Sequence, residues 1–409
     1  FFVMHSDSDD DCPDLVSTGL APAPIVPGTV ATPADTTPRA KVPVTILTGF
    51  LGSGKSTLLN YILREQQEMK IAVIMNEFSI AGADIEKQLS VSQGGQLVDD
   101  WVEMPNGCIC CSAKGQAVSV IEQMVKKKAM DHVIIETSGL ADPGPIVTSF
   151  WVDEALQSTI YLDGVITVVD AKHIEGYLAS PSPEHPKGET LEGDQVGGFL
   201  EATQQIAHAD KLIINKVDLV DASQVEQVKE KLLMVNSTAE VECTSFGKIT
   251  DVRPLLHIDG LALDKDVTKN ARRCMLQQPV IACPGCSEGV EGSHVHNHAQ
   301  DHTHTQNVGT DCVEFPGWLT GEECIESLMT ELTCVKHTDG FSVMRLKGLL
   351  HIQGQEQPCV LQAVADMWDT RPGNLPIVDN PPLNKVVFIG RNLHCRDLTA
   401  LVLGHCKVI

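Results

Sequence analysis

The segment Gly49-Phe50-Leu51-Gly52-Ser53-Gly54-Lys55-Ser56-Thr57 directly follows the β-rich run VTILT at 44–48 and opens the helical pattern STLLNYILREQQ. It fits G-x4-G-K-[ST], a loop that works only between the end of a buried strand and the start of a helix. Gly49, Gly52 and Gly54 let backbone N–H groups, including those of Ser53 and Thr57, wrap a chain of phosphates, and the helix start adds its positive end. Lys55 can reach the β- and γ-phosphate oxygens, and the Ser56 hydroxyl can bind Mg2+. The plain alternative is a chance glycine-rich turn, and the strand and helix in register weigh against it.

Further near-continuous apolar runs recur at helix-length spacing: IAVIM at 71–75, HVIIE at 132–136, VITVV at 165–169 and KLIIN at 211–215. Runs that do not alternate suit parallel strands covered on both faces by crossover helices. The expected fold is α/β, with a doubly wound, mostly parallel sheet over 41–250. Residues 251–310 read as a linker, polar and irregular from about 270. From 311 to 409 pattern returns, as a helix candidate GEECIESLMTEL and runs FSVMRLKGLLHIQ, CVLQAVADMW and KVVFIG that suggest an antiparallel sheet in a smaller α+β domain. Residues 1–40 read as a disordered leader, first acidic and then Pro-rich. The chain does not begin with Met, so its natural start is expected at Met4 or upstream.

Two more motifs end strands of the expected sheet. Asn215-Lys216-Val217-Asp218 matches N-K-x-D, the guanine-reading loop of P-loop GTPases. Its Asp218 carboxylate can accept hydrogen bonds from the ring N1–H and the exocyclic amine, an arrangement adenine does not present. Glu136-Thr137-Ser138-Gly139 closes HVIIE, where Glu136 can orient Mg2+ or its water and Gly139 N–H can sense a γ-phosphate. Lys55 and Glu136 are thus the candidate catalytic residues. Glu136 has a plainer role open to it, capping the helix after Pro143. Asp170, after VITVV, reads as a packing or capping residue.

Cys108-Ile109-Cys110-Cys111 places three thiols in a short loop ahead of a helical segment. Three thiolates can converge on a soft or borderline ion, Zn2+ first among them, although cobalt or nickel would also accept these ligands. A buried structural trio is the alternative. Five of the 15 histidines, His294, His296, His298, His302 and His304, lie close together after Cys283-Pro284-Gly285-Cys286. On a flexible loop they can collect Zn2+ and release it readily, or they can be a solvated linker with no specific role.

Charge and cysteine content narrow the partners. Asp and Glu total 54 against 30 Lys and Arg, for a formal charge of −24, so a nucleic-acid backbone would be repelled. The 14 cysteines do not form a dense disulfide framework, which points to a reducing compartment, the cytoplasm with the nucleus as a further possibility. No run has the 18 or more apolar residues of a membrane span, and Phe1-Phe2-Val3-Met4 is too short for a signal-peptide core.

Taken together these residues resemble the CobW-type P-loop GTPases, and within them the eukaryotic zinc-regulated GTPase metalloprotein activators. The marks are GFLGSGKST, NEF at 76–78, SQGG at 92–95, NGCICC at 106–111, ETSGLADP at 136–143, NKVD at 215–218, RLKG at 345–348 and GRNL at 390–393. The resemblance spans about 41–250 and, less closely, 310–400. It implies a metallochaperone that uses GTP, Mg2+ and Zn2+. The CxCC cysteines bind Zn2+ between the nucleotide switches, GTP sets metal affinity, and hydrolysis couples to delivery into a client. Cys12-Pro13-Asp14-Leu15-Val16 resembles the leader by which eukaryotic members dock on the zinc-finger region of type 1 methionine aminopeptidase, and a small apolar hook on an acidic tail suits such docking.

This chain departs from the family at Ser79 and Ile80, where NEF is usually followed by Gly and an acid. Ile80 cannot ligate metal, so the fourth position falls to Glu77, water or a client group; Glu77 can equally be an ordinary surface acid. Two other functions stay open beside the chaperone: a zinc buffer in which nucleotide is structural, and a chaperone of this type for cobalt. A small-molecule kinase with structural cysteines is a third reading, which NKVD disfavours.

Overall fold

The computed structural model describes residues 41–75, 89–93, 96–99, 116–127, 129–154, 159–178, 194–260, 308–334, 340–373, 377 and 380–409. The first sheet is built from β1 (Val42–Thr48), β2 (Ile71–Met75), β3 (Leu89–Gln93), β4 (Gln96–Asp99), β5 (His132–Glu136), β6 (Ile160–Asp170), β7 (Lys211–Asn215) and β8 (Glu240–Cys243). Its order is β4-β3-β2-β5-β1-β6-β7-β8. From β2 to β8 every pairing is parallel, whereas β3 joins β2, and β4 joins β3, antiparallel.

The strand signal arises from burial on both faces. In β1, Val44 and Ile46 face a layer formed by α2 (Gln116–Lys127) and α3 (Gly144–Glu154). Leu47 faces the opposite layer, formed by α1 (Lys55–Glu65) through Leu58, Leu59 and Ile62. These side chains are at most 1% exposed, and each such burial stabilises the fold by about 1.5–3 kcal/mol. At the other end of the sheet α4 (Ile174–Leu178), α5 (Asp194–Ala207) and α6 (Ala222–Val235) complete the cover. The winding is therefore double, and all the parallel strands bring their carboxyl ends to one edge.

The chain does not leave this core at 251, where the sequence suggested a linker. Val252, Leu255 and Leu256 pack beside α1, and Gly260 N–H donates to Asp163 O at 2.8 Å. Three spaced apolar residues carry too little periodicity to announce that packing.

The second sheet contains β9 (Val308–Pro316), β10 (Ser342–Leu350), β11 (Cys359–Val364), β12 (Met367–Pro372) and β13 (Leu383–Arg391), in the order β12-β11-β10-β13-β9 and antiparallel throughout. CVLQAVADMW, read from sequence as one run, forms two strands, because Ala365 turns the backbone at φ 53°. Helices α7 (Glu323–Cys334) and α8 (Leu398–His405) pack on this sheet around Phe388, Leu346 and Leu328. The described residues from 41 to 409 form one compact unit. The two sheets share it: Val364 of β11 joins the core beside α3, Val308 and Ile389 join the α5–α6 core, and Thr310 Oγ1 donates to Val235 O at 3.0 Å. Among the described residues no helix is long and apolar enough to cross a membrane.

Candidate functional site

The loop between β1 and α1 has the backbone that phosphate cradling needs. Gly49, Gly52 and Gly54 have φ of 140°, 72° and 104°, a region side chains strongly disfavour. A Cβ at Gly49 would lie 2.2 Å from Val168 O, and one at Gly54 would lie 2.3 Å from Asn215 Nδ2. Ser53 is buried, and Thr57 is exposed on the first turn of α1. Lys55 Nζ donates to Gly49 O at 2.8 Å and Phe50 O at 3.3 Å, folded over the loop it is expected to serve. Burial pulls the Lys55 ammonium below its ordinary pKa, against an opposing pull from Glu136.

Ser56 Oγ donates to Glu136 Oε1 at 2.8 Å, which places a hydroxyl and a carboxylate oxygen side by side at the end of β5. Hard oxygen donors of this kind suit Mg2+. The capping role at α3 falls to Asp142, which accepts from Gly144 N–H at 2.8 Å. Gly139 is pressed against the phosphate loop, since a Cβ there would lie 2.8 Å from Leu51 N. Its carbonyl accepts from Gln205 Nε2 at 3.0 Å, and the same amide reaches Ala141 O at 3.1 Å.

Asn215 fastens three loops together. Its Nδ2 donates to Ser53 O at 2.9 Å, while its Oδ1 accepts from Lys216 N–H at 2.9 Å and from Gly247 N–H at 3.1 Å. Lys216, at φ 64°, pairs through Nζ with Asp170 Oδ2 at 2.6 Å. Asp170 also caps the turn that follows β6, accepting from Lys172 N–H and His173 N–H. Burial raises the Asp170 carboxyl, but the bonds from Lys216 and His173 outweigh it and hold the group below the usual aspartate range. Asp218 is exposed at the same edge, available to a base.

Several neighbours of this site were not singled out from sequence. Thr244-Ser245-Phe246-Gly247-Lys248 follows β8 and lies against the first turn of α1, where a Gly247 Cβ would stand 3.0 Å from Leu58 N. Its signal is a short polar, Gly-containing stretch at a strand's carboxyl end. Gln205 and His208 were silent, two polar residues at the end of an otherwise ordinary helix. His208 is buried, and burial lowers its imidazole to about 4 against the pull of Asp142.

The remaining candidates, Cys108, Cys110, Cys111, Glu77, the histidines from His294 to His304, and Cys12 to Val16, lie outside the described residues. Among the described residues no group of His, Cys, Asp or Glu gathers as a metal site.

Residues 43–242 match the CobW/HypB/UreG nucleotide-binding domain, and residues 322–405 match the cobalamin synthesis protein CobW C-terminal domain. The chain is 32% identical over 379 residues to zinc-regulated GTPase metalloprotein activator 1 of Schizosaccharomyces pombe, covering 89% of this chain and 85% of that protein. It is 29% identical over 373 residues to the zinc chaperone YjiA of Escherichia coli, covering 89% of this chain and 98% of that protein. Among solved structures, Zn(II)-bound YjiA GTPase from E. coli superposes with a TM-score of 0.58 at 25% identity, covering 90% of this chain and 99% of that one.

Proposed function

The chain belongs to the CobW family of nucleotide-binding proteins, and from that premise we propose that it is a GTP-dependent zinc metallochaperone of the cytoplasm. The observation that carries this reading is the shared edge at which Asn215 joins the phosphate loop to the guanine-reading loop. Relatives matched along most of the chain are named as zinc-regulated GTPase activators and zinc chaperones.

In this reading the glycines at 49, 52 and 54, with Ser53 and Thr57, cradle the phosphates, Lys55 meets the outer oxygens, and Asp218 selects guanine. Ser56 and Glu136 hold Mg2+, which when bound neutralises phosphate charge. Gly139 N–H reports the γ-phosphate. Hydrolysis of GTP by water to GDP and phosphate removes that group and relaxes the loops it ordered. Cys108, Cys110 and Cys111 supply three thiolates to the zinc cargo, with Glu77 as the fourth-ligand candidate and the histidines from 294 to 304 as an auxiliary supply. Cys12-Pro13-Asp14-Leu15-Val16 docks the client, which we take to be type 1 methionine aminopeptidase.

The test is zinc transfer from the loaded chain to metal-free type 1 methionine aminopeptidase, with GTP or with a non-hydrolysable analogue. Client activation that requires hydrolysable GTP and intact Cys108, Cys110 and Cys111 supports the reading. Activation that is indifferent to the nucleotide would refute the coupling.

A further inference from the structure

The loop from Thr137 to Pro143 is held from two sides. On one side Gly139 abuts Leu51 of the phosphate loop, with space for no side chain. On the other stands Gln205, 1% exposed, whose amide donates to both Gly139 O and Ala141 O. Gln204 Nε2 reaches Asp142 Oδ2 at 3.0 Å, and His208 Nε2 lies 3.8 Å from Asp142 Oδ1. One face of the α5 terminus therefore contacts the loop from Gly139 to Asp142.

That terminus is in turn gripped by the second sheet. The Arg345 guanidinium donates to His208 O and to Asp210 Oδ1, and Lys347 Nζ donates to Asp210 Oδ1 at 3.2 Å. Arg345 and Lys347 are two residues apart on β10 and so share one face. They are the charged residues of the RLKG stretch, which the nucleotide site leaves unexplained. Arg345, Lys347 and Asp210 are all nine-tenths or more buried. Asp210 is fixed further by Val165 N–H at 3.0 Å.

We propose that Gln205 is a positioning residue for the nucleotide-sensing loop, and that Arg345 and Lys347 hold the helix end carrying it, so that the second sheet sets the loop's position. The inference rests on the GTPase reading above. Movement of Gly139 on γ-phosphate binding has to break, or carry with it, the Gln205 amide, and with it the helix end bonded to β10. A packed element with two arrangements is the physical basis of such coupling.

Gln205→Met keeps length and apolar bulk but removes both donors, and Arg345→Lys keeps a cation on Asp210 while losing the planar fork that reaches His208 O. In full-length protein, Gln205→Met is expected to lower kcat for GTP about tenfold, since small misplacements of reacting groups carry costs of that order. Affinity for a fluorescent GDP should stay within about twofold, because the loop meets the γ-phosphate, which GDP lacks. Arg345→Lys should act in the same direction more weakly, and it carries the test if Gln205→Met does not fold. Lowered melting temperature with kcat per folded molecule unchanged would overturn the proposal. If the unmutated chain binds GTP without hydrolysing it, the hydrolytic reading fails separately. The proposal is then decided by the ratio of GTP-analogue to GDP affinity, which Gln205→Met should shift several-fold and which an unshifted ratio would contradict.

Discussion

Asn215 Nδ2 donates to Ser53 O across 2.9 Å, although 162 residues separate the two in sequence. The bond places the Asn215–Asp218 turn and the glycine-rich loop after β1 in fixed relation, and Asn215 Oδ1 extends that relation to Gly247. Asn215→Ala removes all three bonds from a side chain 2% exposed. Stability is expected to fall by about 1–3 kcal/mol, and GTP affinity by at least about tenfold, checked by denaturant unfolding and by fluorescent-nucleotide titration. Loss of stability with unchanged affinity would detach Asn215 from the site.

The pair Ser56–Glu136 predicts a metal phenotype. Ser56→Ala and Glu136→Gln each remove a hard oxygen donor or its charge, so the Mg2+ concentration needed for half-maximal GTP hydrolysis should rise about tenfold or more. Nucleotide affinity without Mg2+ should change little. A Mg2+ titration of steady-state hydrolysis measures both.

His132 predicts a pH dependence of stability. It is buried in β5 with Nε2 2.8 Å from Thr45 Oγ1, and burial, helped by His257, lowers its imidazole from 6.5 to about 3. Between those values the unfolded chain binds a proton that the folded chain refuses. Stability is therefore full above pH 6.5 and declines as pH falls toward about 3, with a slope near 1.4 kcal/mol per pH unit from this group. His132→Leu should make the acid slope shallower by that amount, read from unfolding midpoints at several pH values. An unchanged slope would show that His132 is not the group responsible.

The leader gives a binding prediction. Cys12→Ala or deletion of 12–16 should abolish co-purification with type 1 methionine aminopeptidase and leave GTP hydrolysis intact. Retention of the partner by both variants would remove the leader from the account.

How much of this was legible in sequence follows from how local each signal is. The strands ending at Thr48, Glu136 and Asn215 could be read because burial on both faces leaves an unbroken apolar run, and the phosphate loop because glycine spacing and a strand–helix junction occur together. β3 and β4 were not, since LSVSQ and QLVD are short and half polar and owe their strand state to pairing with β2. The turn at Ala365 was hidden because alanine does not announce a positive φ. The grip of Arg345 and Lys347 on Asp210 was beyond reach for another reason. Its partners are more than 130 residues apart, and two basic residues on a strand read as solvated until the strand is known to be covered.

The most direct measurement is a zinc titration of the full chain, using a chelator competitor, with GDP and with a non-hydrolysable GTP analogue. One tight zinc site that depends on Cys108, Cys110 and Cys111 is expected, with affinity at least about fivefold higher in the GTP-analogue state, the lower end of typical coupling between sites. Equal zinc affinity in the two nucleotide states, or a tight site that survives Cys108→Ser, would contradict it.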